Sequence, residues 1–244
     1  MPHNIEIIGL GGVNCFLLKA RDGFVLVDSG FAARRGQLER RLEAAGCLPG
    51  DLKLIVLTHG DVDHAGNSSY LRAKYGAKIA VHRGDAGMVE RGNMTSGRKA
   101  KPDRISPFFR VVSFVAGAFT PPGVADTFSP DLILEDGQGL AEYGLNAIVV
   151  HLPGHSRGSI GILIPGDAPS ADHSTGSQGV SDRTLLCGDL FMNVTRPGPH
   201  FMIDDLADYN ASLEKVRGLE IETVYPSHGR PFPLRSLLKE NHRD

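Results

Sequence analysis

The sequence reads as a mixed α/β (α+β) chain, and three observations carry that reading. Short apolar runs rich in strand formers recur along its length, as in Leu54-Ile55-Val56-Leu57. Between several of them lie charged stretches with apolar residues three or four apart, the period of a helix with one buried face. With 244 residues, 41% of them hydrophobic, the chain can bury a large core without staples. No Pro/Gly/Ser-rich linker divides it, so residues 1–244 read as one domain.

The elements follow in order. Ile5-Glu6-Ile7-Ile8 and Val13-Asn14-Cys15-Phe16-Leu17-Leu18 are strands joined by Gly9-Leu10-Gly11-Gly12. That joint leads into a strand and not a helix, so it is a tight turn and not a phosphate-binding loop. Phe24 to Val27 forms a third strand, ending in Asp28-Ser29-Gly30. Gln37 to Ala45 is a helix with Leu38 and Leu42 inward, closed by Gly46. A strand at Leu54–Leu57 precedes Thr58-His59-Gly60-Asp61-Val62-Asp63-His64-Ala65-Gly66-Asn67. A helix through Tyr70, Leu71 and Tyr75 follows, then a strand at Lys78–His82. From 84 to about 128 the alternation breaks down, and this stretch reads as an insertion over or beside the site. Its basic residues, Arg91 to Arg110, read as a solvated face. Its phenylalanines, Phe108 and Phe109 among them, line a substrate wall, face a second subunit in a homodimer, or pack on their own core.

Strands resume at Leu132–Leu134, Leu145–Val150 and Ile160–Ile164. Residues from about 165 to 183 lack any apolar period and read as a mobile loop, so its Asp172 and His173 are set aside as ligands. Thr184 to Asp189 is a strand ending on an aspartate. Asp205 to Arg217 is a helix with Leu206, Tyr209, Leu213 and Val216 inward, and Thr223-Val224-Tyr225 is the last strand.

Composition excludes several functions. The net charge of −2, with both signs mixed, gives no general surface for nucleic acid. No uninterrupted apolar run is long enough to span a membrane. The start, Met1-Pro2-His3-Asn4-Ile5-Glu6, lacks the regions of a signal peptide. Cys15, Cys47 and Cys187 are odd in number, share no metal-type spacing and suit a reducing cytoplasm.

Chemistry concentrates at strand ends. His59, Asp61, Asp63 and His64 lie within six residues on a strand-to-helix connection, an arrangement costly to bury without a cation. A divalent metal is the simplest compensator, since imidazole nitrogen and carboxylate oxygen are its usual ligands. The competing reading is a polar loop in which Asp61 or Asp63 caps the next helix. His155, Asp189 and His228 each follow an apolar strand and sit beside glycine. Strand ends along one sheet edge converge, so all seven residues can meet.

These segments together resemble the metallo-β-lactamase-fold hydrolase superfamily: Val27-Asp28-Ser29-Gly30, Thr58 to Asn67, Pro153-Gly154-His155-Ser156, Cys187-Gly188-Asp189 and Pro226-Ser227-His228-Gly229, in that order. The resemblance implies a four-layer αβ/βα sandwich with two divalent ions at one sheet edge. Zinc is the first choice, with Mn²⁺ or Fe²⁺ as alternatives. It assigns His59, Asp61 and His155 to one ion and Asp63, His64 and His228 to the other, with Asp189 bridging. Asp28 would orient ligands from behind. His82 and His151 match no ligand position. The commonest motif of the family has histidine where this chain has Asp61. Counting Asp61, Asp63, Asp189 and a hydroxide gives about four negative charges against two divalent ions, hence the expectation of a less electrophilic pair that tolerates harder ions.

Two adjacent cations lower the pKa of a shared water and polarise a substrate oxygen. Asp63 would orient the resulting nucleophile and pass its proton to the leaving group. The expected reaction is hydrolysis of an ester-like bond, in a lactone, thioester or similar small molecule. The alternatives are a phosphodiesterase or nuclease, an iron redox enzyme, and a metal-stabilised binding module without turnover. His200, in the Pro197-Gly198-Pro199-His200 loop, is a candidate substrate contact, weighed against an ordinary surface histidine.

Overall fold

The central strands are buried on both faces, and successive side chains enter different cores, which builds the layers. The computed structural model describes residues 5–106, 127–166 and 183–238. One sheet runs in the order β1 (Ile5–Gly9), β2 (Asn14–Ala20), β3 (Gly23–Val27), β4 (Leu52–Val56), β5 (Lys78–His82) and β7 (Leu132–Leu134). Its β1–β3 part is antiparallel and its β3–β7 part parallel. The second sheet runs β16 (Phe232–Pro233), β14 (Thr223–Tyr225), β10 (Thr184–Leu186), β9 (Ile160–Ile164) and β8 (Ile148–His151).

Successive side chains of a strand face opposite ways. In β3, Val25 and Val27 join Phe16, Val56, Ile160, Ile162 and Leu186 in a core between the sheets. Phe24 and Leu26 turn to the other face, where Leu38, Leu42, Leu71 and Tyr75 meet them. Those four come from α1 (Arg35–Ala44) and α3 (Ser68–Tyr75). On the far side, α5 (Leu206–Arg217) packs Tyr209 and Val216 against Val150, Leu185 and Val224. The order of layers is therefore helix, sheet, sheet, helix, as the resemblance implied.

Three local expectations need correction. The alternation does not stop at Gly84, because Arg83–Arg91 is a regular helix, α4. Two of its residues are glycines that conceal the pattern. A Cβ on Gly84 would come within 2.7 Å of the Arg157 backbone, so close packing against the His155 loop demands glycine there. Leu145 lies in the turn after Gly144, and the strand begins only at Ile148. Leu206, expected inward, is 41% exposed. The inner face of α5 uses Ser212 instead, whose hydroxyl donates to the Pro153 carbonyl at 2.7 Å.

Two small ribbons complete the frame. β12 (Gly198–Pro199), β11 (Phe191–Asn193) and β15 (His228–Gly229) form one. β13 (Met202–Ile203) pairs with β6 (Arg104–Ile105) to form the other.

Candidate metal centre

The residues that meet at the sheet edge are delivered by five strand ends. Asp28 follows β3, His59 follows β4, His155 follows β8, Asp189 follows β10 and His228 follows β14. Asp61 occupies the N-cap of the short helix α2 (Val62–Ala65), yet its carboxylate makes no capping hydrogen bond. The capping reading of Asp61 therefore fails, and its side chain turns toward His155 and His59.

Seven residues converge as the sequence suggested, in two sets that share Asp189. In the first, Asp61 Oδ2 lies 3.4 Å from His59 Nε2 and 3.1 Å from His155 Nε2. Asp189 Oδ2 lies 3.7 Å from His59 Nε2 and 3.6 Å from His155 Nε2. In the second, Asp63 Oδ2 lies 3.5 Å from His64 Nε2 and 3.6 Å from His228 Nε2. Asp189 Oδ1 lies 3.6 Å from His64 Nε2 and 3.4 Å from His228 Nε2. Bonds of 2.0–2.1 Å in a tetrahedral zinc site put ligand atoms about 3.3–3.4 Å apart. The histidine–carboxylate distances of each set lie near that spacing, and Asp189 offers one oxygen to each.

The imidazoles are turned so that their Nε2 atoms face inward. Each Nδ1 has a partner outside the cluster: Thr58 Oγ1 for His59, Asp28 Oδ2 for His64, the Met202 carbonyl for His155 and the Gly12 carbonyl for His228. A carbonyl only accepts, so it places the proton on Nδ1 and leaves the Nε2 lone pair free. Among the described residues, buried His59 Nε2, His64 Nε2 and Asp189 Oδ1 have no hydrogen-bond partner. Buried polar atoms without partners are rare, and here they aim at common points. The donor set fits divalent metal ions.

Asp28 holds this arrangement from behind. Its backbone sits at φ 60°, a left-handed conformation uncommon for anything but glycine. In that pose its carboxylate accepts from Thr58 N, Thr58 Oγ1 and His64 Nδ1, each at 2.8 Å. The glycine turn after β1 has a similar supporting part, since Gly12 O fixes His228.

The electrostatics are those of a cage built for cations. Burial opposes ionisation of Asp61, but the neighbouring His155, His59 and Arg98 hold it well below the usual carboxylate range. Asp189 is likewise buried and is held low by His200, His228 and His64. Burial works against charge on His64 and His228, yet the carboxylates raise both, His228 to about 9. Without a metal this field draws protons onto His64 and His228, and the same field favours a divalent ion in their place.

Arg98 and Asp85 were not assigned to the site from the sequence, and His200 was named only as a candidate substrate contact. Arg98 was read as part of a solvated face, but its side chain is only 9% exposed. Its Nη2 donates to Asp61 Oδ2 at 2.9 Å and lies 3.2 Å from His155 Nε2. Its Nη1 reaches Asp61 Oδ1 at 2.9 Å as an ion pair without hydrogen-bond geometry. This guanidinium changes the charge count, because it offsets the extra carboxylate at Asp61. His200 is no surface histidine and faces inward, not toward open space. It is buried with Nε2 3.2 Å from Asp189 Oδ2, and burial lowers its pKa to about 3. The third is Asp85 of α4, 1% exposed, which accepts from Gly60 N, Gly158 N and Ser156 Oγ at 3.1, 2.7 and 2.6 Å. It clamps the His59 loop to the His155 loop. His82 and His151, left out of the ligand set, stack on each other with centroids 4.0 Å apart. Phe108, Phe109, Asp172 and His173 lie outside the described residues.

A helix–sheet–sheet–helix sandwich carrying a His/Asp cluster at its sheet edge defines a class. The family model of the metallo-beta-lactamase superfamily matches residues 8–168, and the chain belongs to that superfamily. Among its relatives, the hydroxyacylglutathione hydrolase GloC of Haemophilus influenzae is 30% identical over 164 residues, 66% of this chain and 66% of that protein. The acyl-coenzyme A thioesterase MBLAC2 of Gallus gallus is 29% identical over 250 residues, 93% of this chain and 76% of that protein. The class B3 di-zinc metallo-beta-lactamase LRA-12, from an Alaskan soil metagenome, shares the fold with a TM-score of 0.64 at 20% identity, over 93% of this chain and 76% of that one. No helix among the described residues is long and apolar enough to cross a membrane.

Proposed function

We propose that this protein hydrolyses a thioester or a related ester-like bond in a small molecule, using two divalent ions, with zinc the first choice. The observation that carries the reading is the pair of four-atom donor sets joined through Asp189. His59, Asp61 and His155 would hold one ion, and Asp63, His64 and His228 the other. When bound, such a pair supplies a hydroxide at neutral pH and polarises the acyl oxygen.

The chain's own residues do the rest. Asp189 fixes the spacing between the two sets. Asp28 and the carbonyls of Gly12 and Met202 keep three of the four imidazoles, those of His64, His228 and His155, in the metal-binding tautomer. Asp63 is the most open of the three carboxylates, with 21% of its side chain exposed against 10% for Asp61 and 3% for Asp189. It is therefore the one placed to take a proton and deliver it to a leaving thiol or alcohol. The thioester preference within the ester-like class rests on the names of the two relatives, an acyl-coenzyme A thioesterase and a hydroxyacylglutathione hydrolase.

The test is a substrate panel on protein of measured metal content. We expect cleavage of acyl-coenzyme A or acyl-glutathione substrates, loss with a chelator, and recovery with a divalent ion. Protein that carries metal yet cleaves only phosphodiesters, or nothing on the panel, would overturn the proposal.

A further inference from the structure

Each donor set draws on two imidazoles, one aspartate of its own and one oxygen of Asp189, and His200 stands as a further imidazole beside the first, its Nε2 3.2 Å from Asp189 Oδ2. The surroundings of the two sets differ. Arg98 lies against the first set, its guanidinium on both oxygens of Asp61 and 3.2 Å from His155 Nε2. Among the described residues, no lysine or arginine pairs with Asp63. Behind the second set, His64 Nδ1 rests on the carboxylate of Asp28, whereas the first set's His59 rests on the neutral hydroxyl of Thr58. Both differences act in one direction, adding positive charge to the first set and negative charge to the second.

Arg98 is also held in place. Lys99 N donates to both oxygens of Asp204, and the Lys99 ammonium pairs with Asp103 and Asp205. Two residues of this segment, Arg104 and Ile105, then pair with Met202 and Ile203. The arginine is therefore delivered by a latched loop, not by a free side chain reaching in from solvent.

We propose that Arg98 makes the two metal sites unequal, weakening cation binding at the Asp61 site so that the Asp63 site loads first. This rests on the metal-centre reading above. Arg98 pairs with both oxygens of Asp61, and its hydrogen bond falls on Oδ2, the oxygen turned toward His59 and His155. Asp61 and Arg98 together then carry the charge of one neutral ligand.

The test is stepwise Zn²⁺ binding to metal-free protein, read by chelator competition. For the wild type we expect two steps separated by about tenfold or more, the size of effect an adjacent charge exerts. Arg98→Met should tighten the weaker step by about tenfold, although it removes contacts. Arg98→Lys, which keeps the charge, and the charge-balanced Asp61→His/Arg98→Met should both leave that step within about threefold of wild type, well inside the shift expected for one charge. Asp61→His alone should weaken it further. An arginine that merely braces the loop gives the opposite sign, with Arg98→Met binding zinc more weakly. That result would overturn the inference, as would a weaker step that is unchanged in every variant. A variant that fails to fold leaves the others to decide, since each has its own place in the order set by net charge. Wild-type protein that binds no divalent ion would instead remove the functional reading itself.

Discussion

The Asp61 and Asp63 sites use one set of chemical donors in two different settings. The Asp61 site is closed: His59 and His155 side chains are 1% and 2% exposed, and Arg98 lies against them. The Asp63 site is more open, with His228 at 12% and Asp63 at 21%. Ligand identity alone therefore does not describe a metal centre. What stands behind each donor, whether hydroxyl, carbonyl, carboxylate or guanidinium, is what differs between the two positions.

The most damaging way to break the comparison is to remove what the sites share. Asp189→Ala takes one oxygen from each set, so we expect both ions to be lost and hydrolysis to fall by about a hundredfold or more. Metal analysis after dialysis and the thioester assay read this directly. Retention of both ions would mean that Asp189 does not bridge. Next comes Asp28→Ala, which frees His64 and Thr58. The expected loss is about 10–100-fold in affinity, falling mainly on the Asp63 site. Equal weakening of both steps would contradict the division drawn here.

Asp85→Ala acts on the Asp61 side without touching a ligand. It leaves Gly60 N, Gly158 N and Ser156 Oγ unpaired in a buried place, and we expect about 3 kcal/mol of destabilisation. Urea unfolding of the metal-free protein would show it, and a change below about 0.5 kcal/mol would refute the clamp.

The smallest effect concerns His82, outside both sites. Burial and the neighbouring His151 lower its pKa below the ordinary histidine value. The unfolded chain therefore takes up the proton first as pH falls. Stability is unaffected above that ordinary value and declines as pH drops below it toward the lowered one. His82→Phe should flatten this part of the profile by about 1 kcal/mol or less, visible in melts of the metal-free protein between pH 7 and 5.

Much of the site was legible because its residues announce themselves locally. His59, Asp189 and His228 each follow an apolar strand, and parallel strands bring their ends to one edge without any knowledge of tertiary packing. The layers were legible only through the family resemblance, since Phe24 to Val27 are all apolar and no alternation in them separates one face from the other. Arg98 was not legible. Its partner Asp61 lies 37 positions away, and the basic residues around it have the look of an ordinary wet face. His200 follows no apolar strand, only Pro197-Gly198-Pro199, so nothing marks it as inward. Asp85 sits in a helix whose two glycines dilute the helical signal, Gly84 because it packs closely against Arg157. In each case the missing information is long-range contact, and short-range pattern cannot carry it.

The Met202 carbonyl has one more implication. It lies within hydrogen-bond reach of Nδ1 of both His155 and His200, and its strand is stitched to Arg104 and Ile105, just beyond Arg98. A single peptide unit thus gears two rings to the segment that carries the guanidinium. Through this one carbonyl the packing of residues 98–105 and the orientation of both rings depend on each other.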